Sequence, residues 1–160
     1  MSTDVVLCLA LRRGDGGPEV LLGDKLRGFG SGKTVLPGGK IEAGETPAHA
    51  AARELAEETG LEADPDELTD VATIRFEFPS RPASDMRCTV LLALRTRGTL
   101  RDSAELRPAW YAVDGLPAAR MWEDSARWLG PLIAGRRLDV HVVLAEDNES
   151  VAAYTAVERP

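Results

Sequence analysis

The sequence predicts one domain of mixed α and β structure, of the α/β or α+β class. Three observations carry that expectation. Short runs rich in β-forming apolar residues alternate with two segments of helical periodicity. No linker-like stretch divides the 160 residues, so a single domain over 1–160 is expected. Apolar residues make up 44% and charged residues 28%, a balance that supports a packed core.

The elements follow in order. Val5–Leu11 (VVLCLAL) is short, apolar and β-rich, and reads as a buried strand. RRGDGGPE, residues 12–19, carries three glycines and a proline and reads as a turn or mobile loop. VLLGDK resumes as a strand, LRGFGSGKT is a glycine-rich connection, and VLPGGK ends in a Pro-Gly-Gly turn. Thr46 is placed to cap a helix over Pro47–Thr59, with Pro47 at its first position and Gly60 just beyond its end. VATIRFEFPS alternates like a half-buried strand, and RCTVLLALRTRG reads as another strand. RPAWYAVDGL reads as a strand entering a turn. In WEDSARWLGPLIAG, residues Trp122, Ala126, Leu129 and Ile133 share one helical face. LDVHVVLAEDNESVAAYTAVE reads as a closing hairpin.

Charge narrows the function. The 19 basic and 26 acidic residues leave a net −7, which argues against general nucleic-acid or membrane-surface binding. An anionic ligand would need local cations or a metal. Cys8 and Cys88 form no CxxC pattern, so a reducing, cytoplasmic setting is expected. The first apolar run is too short to span a membrane, and no basic segment precedes it to suggest a signal peptide. A monomer is the default.

The most informative segment is the first helix. On a helical wheel Glu54, Glu57 and Glu58 share one arc of about 100°. Ala48, Ala52, Leu55, Ala56 and Thr59 lie on the opposite side, where small residues suit close packing. Like charges three or four apart weaken a helix. Two readings stand: a solvated acidic face, or carboxylates gathered for a hard divalent cation.

Spacing adds a resemblance. Gly39, five residues, Glu45, seven residues, and then Arg53-Glu54-Leu55-Ala56-Glu57-Glu58-Thr59-Gly60-Leu61 match the Nudix box. The chain therefore resembles the Nudix hydrolases. That resemblance implies an α/β/α sandwich with a mixed central sheet, a loop–helix–loop catalytic motif, and cleavage of a nucleoside diphosphate linked to another group. By the same resemblance Glu54, Glu57, Glu58 and the Gly38 carbonyl hold Mg²⁺, with Mn²⁺ as a substitute. Arg53 and Glu45 pair to hold the helix against its loop. Glu105 in a later loop is the candidate further acid. Glu54 or Glu57 takes the proton of the attacking water, with Glu54 favoured. Lys25 and Lys40 are candidate phosphate contacts.

VLLGDKLRGFGSGK, FEF, ELRPAWY and MWEDSARW extend the likeness to the animal MutT-homologue enzymes that act on oxidised purine nucleoside triphosphates such as 8-oxo-dGTP. Carried over, Phe29, Val35, Phe76, Phe78, Leu106, Trp122 and Asp124 would surround the nucleobase. Aromatic faces stack on purines, and a buried carboxyl reads a base edge. Core packing is the competing reading for the aromatics, and helix capping for Asp124. Two positions depart from those relatives: Val35 stands where they carry a base-reading asparagine, and Ser125 where they carry a second aspartate. The expected partner is a small nucleotide, converted to monophosphate and pyrophosphate. The alternatives are ADP-ribose, a dinucleoside polyphosphate, or a non-catalytic nucleotide sensor.

Overall fold

The first strand organises the molecule. The computed structural model describes residues 2–160. Strand β1 (Thr3–Gly14) runs antiparallel to β2 (Gly17–Lys25), and two short strands follow, β3 (Thr34–Val35) and β4 (Gly38–Lys40). Next come helix α1 (Pro47–Thr59), β5 (Leu61–Glu62), β6 (Thr69–Glu77), β7 (Met86–Ala93), β8 (Arg97–Gly98) and β9 (Leu106–Ala112). Helix α2 (Ser125–Ile133) precedes the closing strands β10 (Leu138–Leu144) and β11 (Val151–Glu158).

The main sheet has the order β11-β10-β6-β7-β1-β2-β3, with β4 also paired to β1 and β9 to β2. β1 runs parallel to β7, and β6 parallel to β10, while the other pairs are antiparallel. One edge of β1 meets β7 from Thr3 to Ala10. The other edge takes β4 at Val5–Leu7 and then β2 at Leu11–Gly14. β5 and β8 form a separate two-stranded sheet.

Alternation along β1 divides the core into two layers. Val6, Cys8 and Ala10 face α1 and pack with Ala50, Ala51 and Leu55. Leu9 faces the other way, into a larger cluster with Trp128, Leu129 and Leu132 of α2. A helix on each face of a mixed sheet is the expected α/β/α sandwich. Among the described residues no helix is long and apolar enough to cross a membrane.

Four local expectations need correction. Of the two readings of RRGDGGPE the turn holds and the mobile loop does not. β1 and β2 stay paired to Gly14 and Gly17 around a two-residue Asp15-Gly16 turn. Gly17 adopts φ 120°, open to glycine. Arg12 bonds Glu19 at 2.7 Å and lies 4.3 Å from the Trp110 ring, so the paired ends are held by side chains as well. The Pro-Gly-Gly segment likewise continues as a strand: Gly38 and Gly39 are β4 and pair with Leu7 and Val6. RCTVLLALRTRG breaks after Ala93, and Arg97–Gly98 joins β5 instead. Finally, Trp122 lies before α2, whose buried residues are Ser125, Trp128, Leu129 and Leu132. The chain thereby turns Trp122 away from the helix and towards the cavity described below.

Candidate active site

Helix α1 begins and ends by chemistry visible in the chain. The Thr46 side chain accepts a hydrogen bond from the His49 N–H at 3.2 Å, and Gly60 closes the helix in the left-handed conformation at φ 81°. The buried residues of α1 are Ala50, Ala51, Leu55 and Thr59. Ala50, Glu54 and Glu58 follow one another at four-residue spacing. The acid row therefore runs along the flank of the packed face, and Glu54 and Glu58 are half-buried. Two glycines shape β4, Gly39 against that flank and Gly38 against β1. A Cβ on Gly39 would sit 2.5 Å from a Glu54 carboxylate oxygen, and a Cβ on Gly38 would strike the Val6 carbonyl oxygen.

The Gly38 N–H donates to Glu58 Oε1 at 2.8 Å. In a strand the N–H and C=O of one residue leave on the same side. The Gly38 carbonyl is thus turned towards the acidic helix too.

Arg53 answers the crowding of carboxylates. Its Nε and Nη2 donate to the two oxygens of Glu45 at 2.7 and 2.8 Å. Nη1 reaches Glu54 Oε1 at 2.9 Å and Glu57 Oε2 at 3.4 Å, and Nη2 also donates to the Lys40 carbonyl at 3.1 Å. One guanidinium ties the loop before α1, the helix and β4 together. Held by Arg53, the Glu45 carboxyl falls to about 2. Glu54 and Glu58 move the other way. Burial raises Glu54 despite Arg53. Burial, reinforced by the Glu54 charge and opposed by the Gly38 N–H, raises Glu58 to about 7.

Among the described residues no three His, Cys, Asp or Glu side chains converge as a ready-made metal cluster. Glu54 is turned to Arg53, Glu58 to the Gly38 N–H, and the Glu57 side chain is 59% exposed. The donor set is nonetheless all oxygen: three carboxylates of one helix and a backbone carbonyl facing them. That chemistry fits a hard divalent cation, whose charge would relieve the opposition between Glu54 and Glu58.

The other expected residues are placed as follows. Glu105 lies in the turn before β9 and reaches Arg27 at 3.8 Å, with its charge felt at Glu58. The Lys25 charge acts on Glu58 as well. Lys25, Lys40, Gly38 and Glu58 all line a cavity of about 370 Å³. Phe29, Val35, Phe76, Phe78, Leu106, Trp122 and Asp124 line the same cavity. Glu45, Arg53, Glu54, Glu57 and Glu105 are not among its lining residues.

Phe29 stacks on Trp122 with ring centres 5.3 Å apart and meets the edge of Phe78 at 5.8 Å. Phe78 and Leu106 are buried, so at those positions core packing and cavity lining are the same fact. Asp124 is buried and precedes α2 without capping it. Its Oδ2 accepts from Trp128 Nε1 at 2.7 Å, while burial pushes the carboxyl above its ordinary range.

Sequence reasoning missed Met86, Met121, Trp128 and Asn148, which also line the cavity. Trp128 carried a signal, because it lies four residues after Asp124, within reach of its carboxyl. Asn148 carried none: it comes from the turn between β10 and β11.

Comparison with known proteins adds to this geometry. A family profile of the NUDIX domain matches residues 1–130. The Mus musculus protein named oxidized purine nucleoside triphosphate hydrolase is 37% identical over 140 residues, covering 88% of this chain and 87% of its own length. The Danio rerio protein of the same name is 40% identical over 119 residues, 74% of each chain. A MutT protein from Bacillus halodurans shares the fold, with a TM-score of 0.79 at 23% identity over 96% of this chain and 97% of that one.

Proposed function

The chain belongs to the NUDIX family, and from that premise we propose that it hydrolyses oxidised purine nucleoside triphosphates, best 8-oxo-dGTP, to monophosphate and pyrophosphate. Its members are hydrolases that use divalent metal ions, and the ion assigned to this chain is Mg²⁺, with Mn²⁺ as a substitute. The observation that carries the reading is convergence. Lys25, Lys40 and Glu58 line one cavity with a stacked Phe29–Trp122 pair and a buried acid, Asp124. Anion-binding and base-binding chemistry therefore line the same cavity.

Glu54, Glu57, Glu58 and the Gly38 carbonyl are the groups that would hold the cation. When bound, it offsets the charge of the phosphates and acidifies a water molecule. The residues of the chain supply the rest. Arg53 fixes Glu54 through Oε1, leaving Oε2 to accept a proton from the attacking water. Burial raises the Glu54 carboxyl above its ordinary value, the direction that makes it a stronger base. Lys25 and Lys40 bind phosphate oxygens. Trp122 and Phe29 stack on the base, Phe76, Phe78, Val35 and Leu106 wall it off from water, and Asp124 reads its edge. Glu105 stands by as a further acid beside Glu58. The protein works as a monomer in the cytoplasm on a free nucleotide.

The test is a substrate panel with Mg²⁺: the canonical dNTPs, 8-oxo-dGTP, 2-oxo-dATP, ADP-ribose and a dinucleoside tetraphosphate. A lead of about tenfold or more in kcat/KM for 8-oxo-dGTP, with pyrophosphate released, is expected. A lead by ADP-ribose or the dinucleoside compound would overturn the substrate and keep the hydrolase.

A further inference from the structure

The base cavity has a polar residue that comes from neither the glutamate helix nor the segment around Asp124. Asn148 sits in the turn joining β10 to β11 and lines the cavity. It is the one non-glycine residue with a positive φ, 57°, among those described. The turn around it is tied tightly. The Asp147 carboxylate accepts from the N–H groups of Glu149 and Ser150 at 2.9 and 2.8 Å and from the Ser150 hydroxyl at 2.6 Å. The Asn148 N–H donates to the Ala145 carbonyl at 2.9 Å. Lys33, which lies 5.1 Å from the Trp122 ring, pairs with Glu149 at 2.5 Å. The turn is thus fastened to the aromatic wall of the cavity.

The side chain is held as well. The Ser80 hydroxyl has one proton and two acceptors in reach: Asn148 Oδ1 at 2.8 Å and the Glu146 carbonyl at 3.1 Å. The contact to Asn148 is the shorter, and Glu146 is exposed to water. With Oδ1 engaged by Ser80, the two N–H donors of the Asn148 amide have no protein partner. Val35, which lines the same cavity, offers no hydrogen-bonding group.

We propose that Asn148 is a specificity-determining residue whose amide N–H group donates to a carbonyl oxygen of the nucleobase. The inference rests on the reading of this cavity as a purine site. A reader set on a rigid turn and oriented by a second side chain is preorganised for one base edge. Directed at the 6-position, it selects bases with a carbonyl oxygen there, such as 8-oxoguanine, over bases with an amino group there, such as 8-oxoadenine.

The backbone alone would also explain an asparagine here, because Asn tolerates the left-handed region. The variants separate the two roles. Asn148→Asp tolerates the same backbone and keeps an acceptor for Ser80, but replaces the donors with a carboxylate oxygen. Asn148→Gly keeps the backbone and removes the amide. Binding of 8-oxo-dGMP is measured by titration calorimetry on the whole protein. Hydrolysis of 8-oxo-dGTP and 8-oxo-dATP is measured with kcat and KM resolved.

For both variants the expected result is about tenfold or more weaker 8-oxo-dGMP binding, the same rise in KM for 8-oxo-dGTP, and a kcat near wild type. The change for 8-oxo-dATP is smaller. Unchanged binding and KM in Asn148→Asp would overturn the proposal and leave Asn148 a turn residue. If the wild type itself neither binds 8-oxo-dGMP nor cleaves purine triphosphates, the substrate reading fails first and the proposal falls with it. The wild-type measurement therefore tells the two failures apart.

Discussion

Glu57 is the least constrained of the three helix carboxylates. Its side chain is 59% exposed and meets Arg53 only at 3.4 Å. Exposed pairs of this kind contribute little to stability. Glu57→Gln is therefore expected to leave the melting temperature almost unchanged and to lower kcat by about 100-fold or more. A rate equal to wild type at limiting as well as saturating Mg²⁺ would remove Glu57 from the cation site. Glu58 gives a different signature. Its folded-state carboxyl titrates near 7, against an ordinary value of 4.5. The folded state then binds more protons than the unfolded one across that window, so cation-free stability falls as pH rises through it. Melting curves in EDTA between about pH 5 and pH 8 should show this fall, and Glu58→Gln should flatten it. A bound divalent ion favours the ionised form and should offset the loss at the upper end.

Elements differed in how plainly the chain announced them. The bounds of α1 were legible to the residue, because a threonine cap, a proline at the first position and a terminal glycine each act locally. The β1–β2 hairpin and β4 were not, because glycine and proline also mark loops. Pairing with distant residues decided the matter at Gly38 and Gly39. The acidic residues of the site were legible from spacing, whereas Asn148 depends on how the last hairpin folds back over the cavity. β4 also yields a paired prediction. In Gly39→Ala the new methyl meets the end of the Glu54 side chain, 2.5 Å away, and would push it from its bond to Arg53. The fold should survive while kcat drops by about tenfold to 100-fold, as a displaced catalytic group requires. In Gly38→Ala the obstacle is the backbone oxygen of Val6. That variant should part β4 from β1 and lose more than about 2 kcal/mol of stability in denaturant titration.

At the scale of the whole molecule the two core layers are joined by β1, whose alternate side chains enter both. Leu55 and Leu129 are fully buried, one beneath each helix. Truncation of either to alanine should cost about 2–5 kcal/mol, and each variant should still unfold in one transition by calorimetry and by circular dichroism. A variant that melted in two steps would show the layers to be independent.

The position of β1 also has a bearing on length. Val5, Val6 and Leu7 line the base cavity, and the same three residues pair with β4, which carries Gly38 and Lys40. On the proposed reading, base wall and phosphate floor would be built on one span of three residues, and the strand would serve as a gauge block. On that reading, the bond to be broken would be counted from the base and not from the free end of the phosphate chain. Shortening a nucleotide by its last phosphate would leave the point of scission where it was, and a diphosphate would give the same monophosphate with a smaller leaving group.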